Sequence, residues 1–235
     1  AELAAALKTA GHDVHMAFPE VNVLDRILPP ELATEVSALF RSTGVTLHRR
    51  VTAESVRRSE AGTVVRFTDG TEILVDVVVA GLGIIPETSL AEAAGLSVGN
   101  GITVNEFLQT DDPDIYAAGD VASIPSMPLG GHQRVEHEEN ANLSGYLAGK
   151  AMAGEPEPYT HLPMFYSDLF GQSFQGVGLA DSRLGSEIHW EEPLKKGTVH
   201  YVEDGRIRGV LMWNIWGRLD EARELVGLSE RSINA

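Results

Sequence analysis

The chain has 235 residues, with 18 Lys plus Arg against 34 Asp plus Glu and a formal net charge of −16. That acid excess argues against nucleic acid or an anionic membrane as partner, because a phosphate-binding surface must be basic. There is no cysteine, which removes a disulfide framework, a thiolate zinc site, an iron–sulfur cluster, a catalytic cysteine and a CxxC redox pair from the chemistry of these residues. No apolar run reaches the ~20 residues that span a bilayer. The opening stretch lacks the ordered regions of a signal peptide, and a cytoplasmic setting is expected.

Ala1 to Ala10 carries apolar side chains at Leu3, Ala4, Leu7 and Ala10, a helical spacing, and Gly11 stands where such a helix stops. No capping residue precedes it, so the chain is expected to be the C-terminal part of a longer protein. Val14 to Phe18 suits a buried parallel strand. Pro30 can open a helix striped by Leu32, Val36, Leu39 and Phe40, with Gly44 ending it and Val45 to Leu47 starting a strand. Thr63 to Phe67 and Ile73 to Val75 flank Asp69-Gly70, a strong hairpin signal. Val75 to Ala80 reads as a buried strand, Leu90 to Ala94 as a short helix, and Ile115 to Ala118 as a strand running into Gly119-Asp120.

Asn140 to Ala153 predicts a helix with small residues at Ala141, Ser144, Gly145, Ala148 and Gly149. That spacing serves tight helix–sheet packing or the close approach of a flat ligand. Ala153 to Pro163 holds three prolines and is the linker candidate. Beyond it, strands are predicted over Ser173–Leu179, Ser186–Trp190, Thr198–Val202 and Arg206–Trp213, with a turn at Asp204-Gly205 and a closing helix over Leu219–Val226. The order of elements is α/β first, then a small α+β unit expected to lean on what precedes it.

The segment richest in chemistry is TDDPDIYAAGDVA, Thr110 to Ala122. A strand that delivers Gly119 and Asp120 to its carboxyl end places them where open α/β sheets bind ligands. Gly lets a backbone approach a ligand, Asp can accept a hydrogen bond from a sugar alcohol, and Val121 to Ser123 could open a helix facing a phosphate. A Gly-Asp pair taken alone is equally a capping turn. Other chemistries fail on spacing. His137-Glu138-Glu139-Asn140-Ala141 is not HExxH. Asp111, Asp112 and Asp114 do not continue into a calcium loop. There is no GxSxG. No metal site and no catalytic side chain are expected.

The whole string resembles the second FAD-binding motif of the pyridine nucleotide-disulfide oxidoreductase superfamily, with Thr110, Pro113, Ile115, Tyr116, Ala117, Gly119 and Asp120 at matching spacing. The resemblance implies that Asp120 holds the ribityl chain of FAD, with Gly119 and Val121 beside it. VVVAGLGIIP, Val77 to Pro86, resembles the segment that links the nicotinamide domain back to the flavin domain, and Gly83 matches the glycine against the dinucleotide. RVEH, Arg134 to His137, and MFYSD, Met164 to Asp168, are similar to the apoptosis-inducing-factor and ferredoxin-reductase group. They imply that Glu136, His137 and Phe165-Tyr166 lie near the flavin ring, although that group often has Trp where Tyr166 stands.

The implied fold is a pair of FAD/NAD(P)-binding Rossmann-like domains, incomplete here, followed by a small α+β C-terminal domain. The expected divisions are 1–86 for the remainder of the NAD(H) domain, 87–154 for the C-terminal part of the FAD domain, and 155–235 for the last. The implied function is an FAD-dependent NAD(P)H oxidoreductase, with FAD and NAD(H) as cofactors, delivering electrons to a ferredoxin, a rubredoxin or a quinone. A homodimer is a candidate assembly. Two other classes stay open: a redox-switched flavoprotein with a signalling or binding role, and an inactive fragment. Glu20, just past the second predicted element, can bond adenosine ribose hydroxyls and repel a 2′-phosphate, which favours NADH. No GxGxxG occurs anywhere in the 235 residues, and FAD pyrophosphate binding relies on that turn and the helix behind it. This chain by itself is therefore expected to bind FAD weakly and to show no NADH oxidase activity. A yellow, monomeric and active preparation would overturn that expectation.

Overall fold

The computed structural model describes residues 1–228. In chain order the elements are α1 (Glu2–Thr9), β1 (His15–Phe18), α2 (Pro30–Ser42), β2 (Thr46–Arg49), β3 (Ala53–Ser59), β4 (Gly62–Phe67), β5 (Glu72–Val75), α3 (Ser89–Ala93), β6 (Val98–Gly99), β7 (Gly101–Thr103), β8 (Ala122–Pro125), β9 (His132–Gln133), α4 (Glu138–Met152), β10 (Met164–Leu169), β11 (Gln172–Gly178), β12 (Gly185–Glu192), β13 (Lys196–Glu203), β14 (Arg206–Trp213) and α5 (Leu219–Leu228). They form a parallel pair β1-β2, an antiparallel meander β3-β4-β5, a small sheet β6-β7-β8-β9 whose β7-β8 pairing is parallel, and an antiparallel sheet β10-β11-β14-β13-β12. The fold is of the α/β class, ending in an α+β unit.

α2 starts where Pro30 can sit without a lost hydrogen bond, since its missing N–H falls in the first turn. Leu32, Ala33, Val36 and Phe40 recur at helical spacing on its buried face. That face enters a core shared by both ends of the chain. Ala4, Val14, Leu28, Leu32, Val36 and Phe40 pack in one cluster with Leu169, Phe174, Val199, Tyr201, Leu211 and Trp213 of the five-stranded sheet. β13 alternates, so Val199 and Tyr201 face this core while Thr198 and His200 face away. The C-terminal unit therefore leans on the first 45 residues. It also packs Leu129 into a second cluster with Val177, Val210, Met212 and α5. Polar ties also cross the first junction: Ser182 donates from its hydroxyl to the Asp25 carbonyl and from its N–H to the Arg26 carbonyl, and the fully buried Tyr201 donates its hydroxyl hydrogen to the Ile27 carbonyl at 2.6 Å. Burial pushes the phenol pKa up, so it stays a neutral donor.

The predicted buried strand Val75 to Ala80 is not present. β5 ends at Val75, and Val77, Val79, Leu82 and Ile85 are exposed, the last two at 92%. A buried strand needs a partner on each side, and among the described residues none lies beside this run. The strand predicted over Ile115 to Ala118 is also replaced. The Thr110 hydroxyl reaches the carbonyls of Asp112 and Ile115, at 3.1 and 3.0 Å, and the Asp112 carboxylate accepts from the Asp114 N–H at 2.9 Å. These local bonds compete with an extended ladder and leave one bridge, Gln109 to Tyr116. Nor does a helix open at Val121 to Ser123. Gly119–Val121 makes a single 3₁₀ turn and the chain continues as β8. β3 was not foreseen: all seven of its residues are exposed, so it lacks the apolar alternation that marks a half-buried strand. It is tied to the meander partly by Arg66–Glu54 and Arg57–Glu72 ion pairs at 2.9 and 3.2 Å.

Tyr201→Phe is expected to cost about 1–3 kcal/mol, because it leaves the Ile27 carbonyl without its donor. Phe40→Ala, which empties a fully buried site, is expected to cost about 3–5 kcal/mol. Urea unfolding reads both, and an unchanged midpoint for Tyr201→Phe would show that the junction bond contributes nothing.

Candidate functional site

The centre of the site is the turn at Gly119-Asp120. Gly119 takes φ +70°, in the left-handed region that glycine enters without steric cost. Its N–H donates to Ser144 Oγ at 2.9 Å, and the Ser144 hydroxyl donates to the Asn140 carbonyl at 2.6 Å. Asn140 donates from Nδ2 to the Val135 carbonyl at 2.9 Å and accepts at Oδ1 from the Tyr159 hydroxyl at 2.8 Å. Asn140 and Ser144 are 1% and 0% exposed. A buried network with every member partnered holds a single geometry, so α4 fixes the turn. This resolves the small-residue stripe: Ser144 and Ala148 are buried on the packed side, whereas Gly145 and Gly149 are exposed with nothing close to them.

Asp120 is exposed, and among the described residues its carboxylate has no hydrogen-bond or ion-pair partner. Its backbone carbonyl accepts from Arg134 Nη1 at 3.1 Å. Arg134, whose side chain is 10% exposed, also donates from Nε to Asn100 Oδ1 at 3.0 Å and pairs with Glu136 Oε1 at 2.6 Å. One guanidinium thus ties together the β6–β7 turn, the Asp120 turn and the Glu136 carboxylate. Val121 completes the 3₁₀ turn.

His137 stands immediately before α4, with Nδ1 buried and unpartnered. Burial lowers its pKa, with Glu139, Asp120 and Glu136 pulling the other way, so the neutral ring is favoured. Its centroid is 5.4 Å from that of Phe165. Phe165 pairs across the sheet with Gly176 and lies over it: a Cβ there would come within 2.2 Å of the ring. Tyr166, the next residue on β10, is 64% exposed and by strand alternation turns to the opposite face. The structure therefore gathers Asp120, Glu136, His137 and Phe165 and leaves Tyr166 outside.

The remaining predicted residues lie elsewhere. Glu20 pairs with Arg26 Nε at 2.5 Å. A concave site of about 520 Å³, lined by Val21, His48, Arg49, Arg50 and Asp69 among others, lies beside it, and the Arg50 N–H donates to the Glu20 carbonyl. Gly83, at φ +84°, sits in the exposed apolar run with nothing within 4 Å of its Cβ position. Among the basic residues of the C-terminal unit, Lys196 is paired with Glu191 and Arg208 with Glu203. Lys195-Lys196 and Arg206/Arg208 also fall at opposite ends of β13, about 20 Å apart at the strand rise, and do not make one patch.

Sequence reasoning missed the polar framework. Arg134, Asn140 and Ser144 are its members. Glu139 is another: it accepts from the Met164 N–H at 2.9 Å and lies 3.0 Å from His161 and 3.1 Å from Arg223. Burial works against that carboxylate, but these partners outweigh it and hold its pKa below the usual range. A polar residue within a helix gives little sequence sign of such a role. The Arg in RVEH was the one available hint.

The cluster suits a flavin. It offers an unengaged carboxylate to accept from polyol hydroxyls, a neutral imidazole with one free buried nitrogen, and an aromatic ring seated over Gly176. A histidine whose pKa is lowered in the fold binds protons better when unfolded. Its contribution is fully present above the ordinary value of 6.5 and is lost as pH falls below it. The loss of stability between about pH 7.5 and about pH 5.5 is expected to be smaller in His137→Gln than in the unaltered protein, by denaturant titration at each pH. An equal loss in both would mean that His137 is not held neutral.

The chain is similar to known proteins over nearly its whole length. The chain is 35% identical over 94% of its length to apoptosis-inducing factor 1, mitochondrial, of Dictyostelium discoideum, covering 44% of that protein. It is 34% identical over 90% of its length to monodehydroascorbate reductase 3 of Arabidopsis thaliana, covering 50%. The chain thus spans about half the length of these relatives. The solved ferredoxin reductase from Rhodopseudomonas palustris superposes with a TM-score of 0.84 at 28% identity, over 96% of this chain and 56% of that one. No helix among the described residues is long and apolar enough to cross a membrane. Residues 1–145 match the family described as pyridine nucleotide-disulphide oxidoreductase, and the chain belongs to that family.

Proposed function

We propose that this chain works as part of an FAD-dependent NAD(P)H oxidoreductase that passes electrons from NADH to an acceptor such as a ferredoxin, a rubredoxin or a quinone. The observation that carries the reading is the Gly119-Asp120 turn, locked by Ser144 and Arg134 and presenting an unengaged carboxylate next to His137 and Phe165. The likeness to a ferredoxin reductase over nearly the whole chain supports the acceptor class. In this reading residues 1–86 belong to the NAD(H) domain, 87–154 to the FAD domain and 155–235 to the C-terminal domain.

FAD, when bound, supplies the step from hydride to electrons. The chain's own residues do the placing. Asp120 accepts hydrogen bonds from the ribityl hydroxyls, and Arg134 fixes the backbone that carries it. His137 offers a neutral imidazole near the ring, and Phe165 keeps water from that side. Gly83 and its apolar neighbours lie along the dinucleotide. Glu20 binds the adenosine ribose from the rim of the concave site, where Arg49 and Arg50 are the groups that would meet phosphate. A second reading, a redox-switched flavoprotein of apoptosis-inducing-factor type, is favoured by the 35% identity to that protein. It calls for very slow turnover with artificial acceptors beside tight nucleotide binding.

In the full-length gene product, Asp120→Ala is expected to weaken FAD binding roughly 10- to 100-fold, the value of one hydrogen bond to a charged acceptor, read from visible flavin absorbance at equilibrium. Full flavin retention would sink the assignment. In the same protein Glu20→Ala should raise KM for NADH more than for NADPH, and an unchanged preference between the two would reject the role given to Glu20.

A further inference from the structure

We propose that Glu187, His189 and His200 form a binding site for a divalent transition metal of the zinc class on the outer face of the β12–β13 hairpin. Glu187 and His189 are two apart on β12 and share a face. Glu187 is directly opposite His200 on β13, while His189 is opposite Thr198, one diagonal step away. Val199 and Tyr201 take the inward positions of β13, so His200 must face out, toward the two β12 side chains. One donor atom from each of the three lies within 4.8 Å of the other two. The imidazole rings are 4.7 Å apart, centroid to centroid.

Donors at bonds of about 2.0–2.2 Å around one tetrahedral ion are separated by about 3.3–3.5 Å. Closing the observed spacing needs a rotamer adjustment of roughly an ångström in side chains that are exposed or half-buried, with no shift of the hydrogen-bonded backbone. Two imidazoles and one carboxylate select zinc, nickel or copper over calcium and magnesium, which take oxygen. Glu187 and His189 are exposed, so water has access to the site as a fourth ligand. Competing contacts leave the trio available. Glu191, farther along β12, is held by Lys196 at 2.6 Å and Arg218 at 3.4 Å, whereas among the described residues Glu187 and the two ring systems have no hydrogen-bond or ion-pair partner. The other close histidine pair, His15 and His48, turns its nitrogens to each other at 2.9 Å, and Asp13 reaches only to 3.8 Å. No linear motif announces the site because its ligands come from two strands.

The test is calorimetric titration of the chelator-treated protein with Zn²⁺ alone. One equivalent is expected to bind. Affinity should fall at least tenfold in His189→Ala and in His200→Ala, fall also in Glu187→Gln, and stay unchanged in His15→Ala, with circular dichroism showing each variant folded. Because the signal is binding heat, it is independent of flavin content and turnover. Absence of binding, retention of affinity in both β12–β13 histidine variants, or loss of affinity in His15→Ala would each overturn the assignment.

Discussion

The buried chain of hydrogen bonds from Tyr159 through Asn140 and Ser144 to the Gly119 amide is the constraint on which the site depends. The Gly119-Asp120 turn is neither strand nor helix, and an isolated 3₁₀ turn has little stability of its own. It is held in shape by the bond from the Gly119 N–H to the fully buried Ser144 hydroxyl, and an amide that loses such a partner away from water is costly. Arg134 acts on the same turn from the solvent side. The exposed Asp120 carboxylate is thus positioned by residues that are themselves largely hidden.

The two ends of the chain are joined through apolar packing rather than charge. The core that begins at α1 and α2 continues into the five-stranded sheet, accompanied by polar bonds from Tyr201 to the Ile27 carbonyl, from Ser182 to the Asp25 and Arg26 carbonyls and from the Asp168 N–H to Glu2. Charge is organised in local pairs instead. Arg66 with Glu54, Lys196 with Glu191 and Arg134 with Glu136 each satisfy a neighbour. With net charge −16 and Lys195-Lys196 separated from Arg206 and Arg208 by the length of β13, approach of an acidic partner is opposed within about a Debye length, ~8 Å at physiological salt.

Much of this was legible in the residues. The 3.6-residue stripe of α2, the Asp69-Gly70 and Asp204-Gly205 turns and the four later strands reflect local rules, and the structure shows the corresponding elements. The runs at Val75–Ala80 and Ile115–Ala118 misled for different reasons. The first has strand chemistry but no neighbour among the described residues. The second has its backbone captured by Thr110 and Asp112. β3 was invisible because every one of its side chains is exposed. The strings around Asp120, His137 and Phe165 single out residues that the fold brings into one region, whereas nothing in the sequence singles out Asn140, Ser144 and Glu139 as the residues that fix it. Their importance lies in contacts 19 to 84 residues away along the chain, and no local pattern encodes those.

Phe165 lying on Gly176 makes strand alignment part of the site. Pairing in an antiparallel sheet is periodic by two, so a slip of one residue between β10 and β11 would set the ring over Gln175 or Val177 and turn it away from His137. Of these three alignments only the native one puts a residue without a side chain beneath the ring. Gly176 therefore acts as a key: it accepts Phe165 at one position of the strand and refuses it at the positions beside it, so the sheet can assemble correctly only when the aromatic wall faces the histidine.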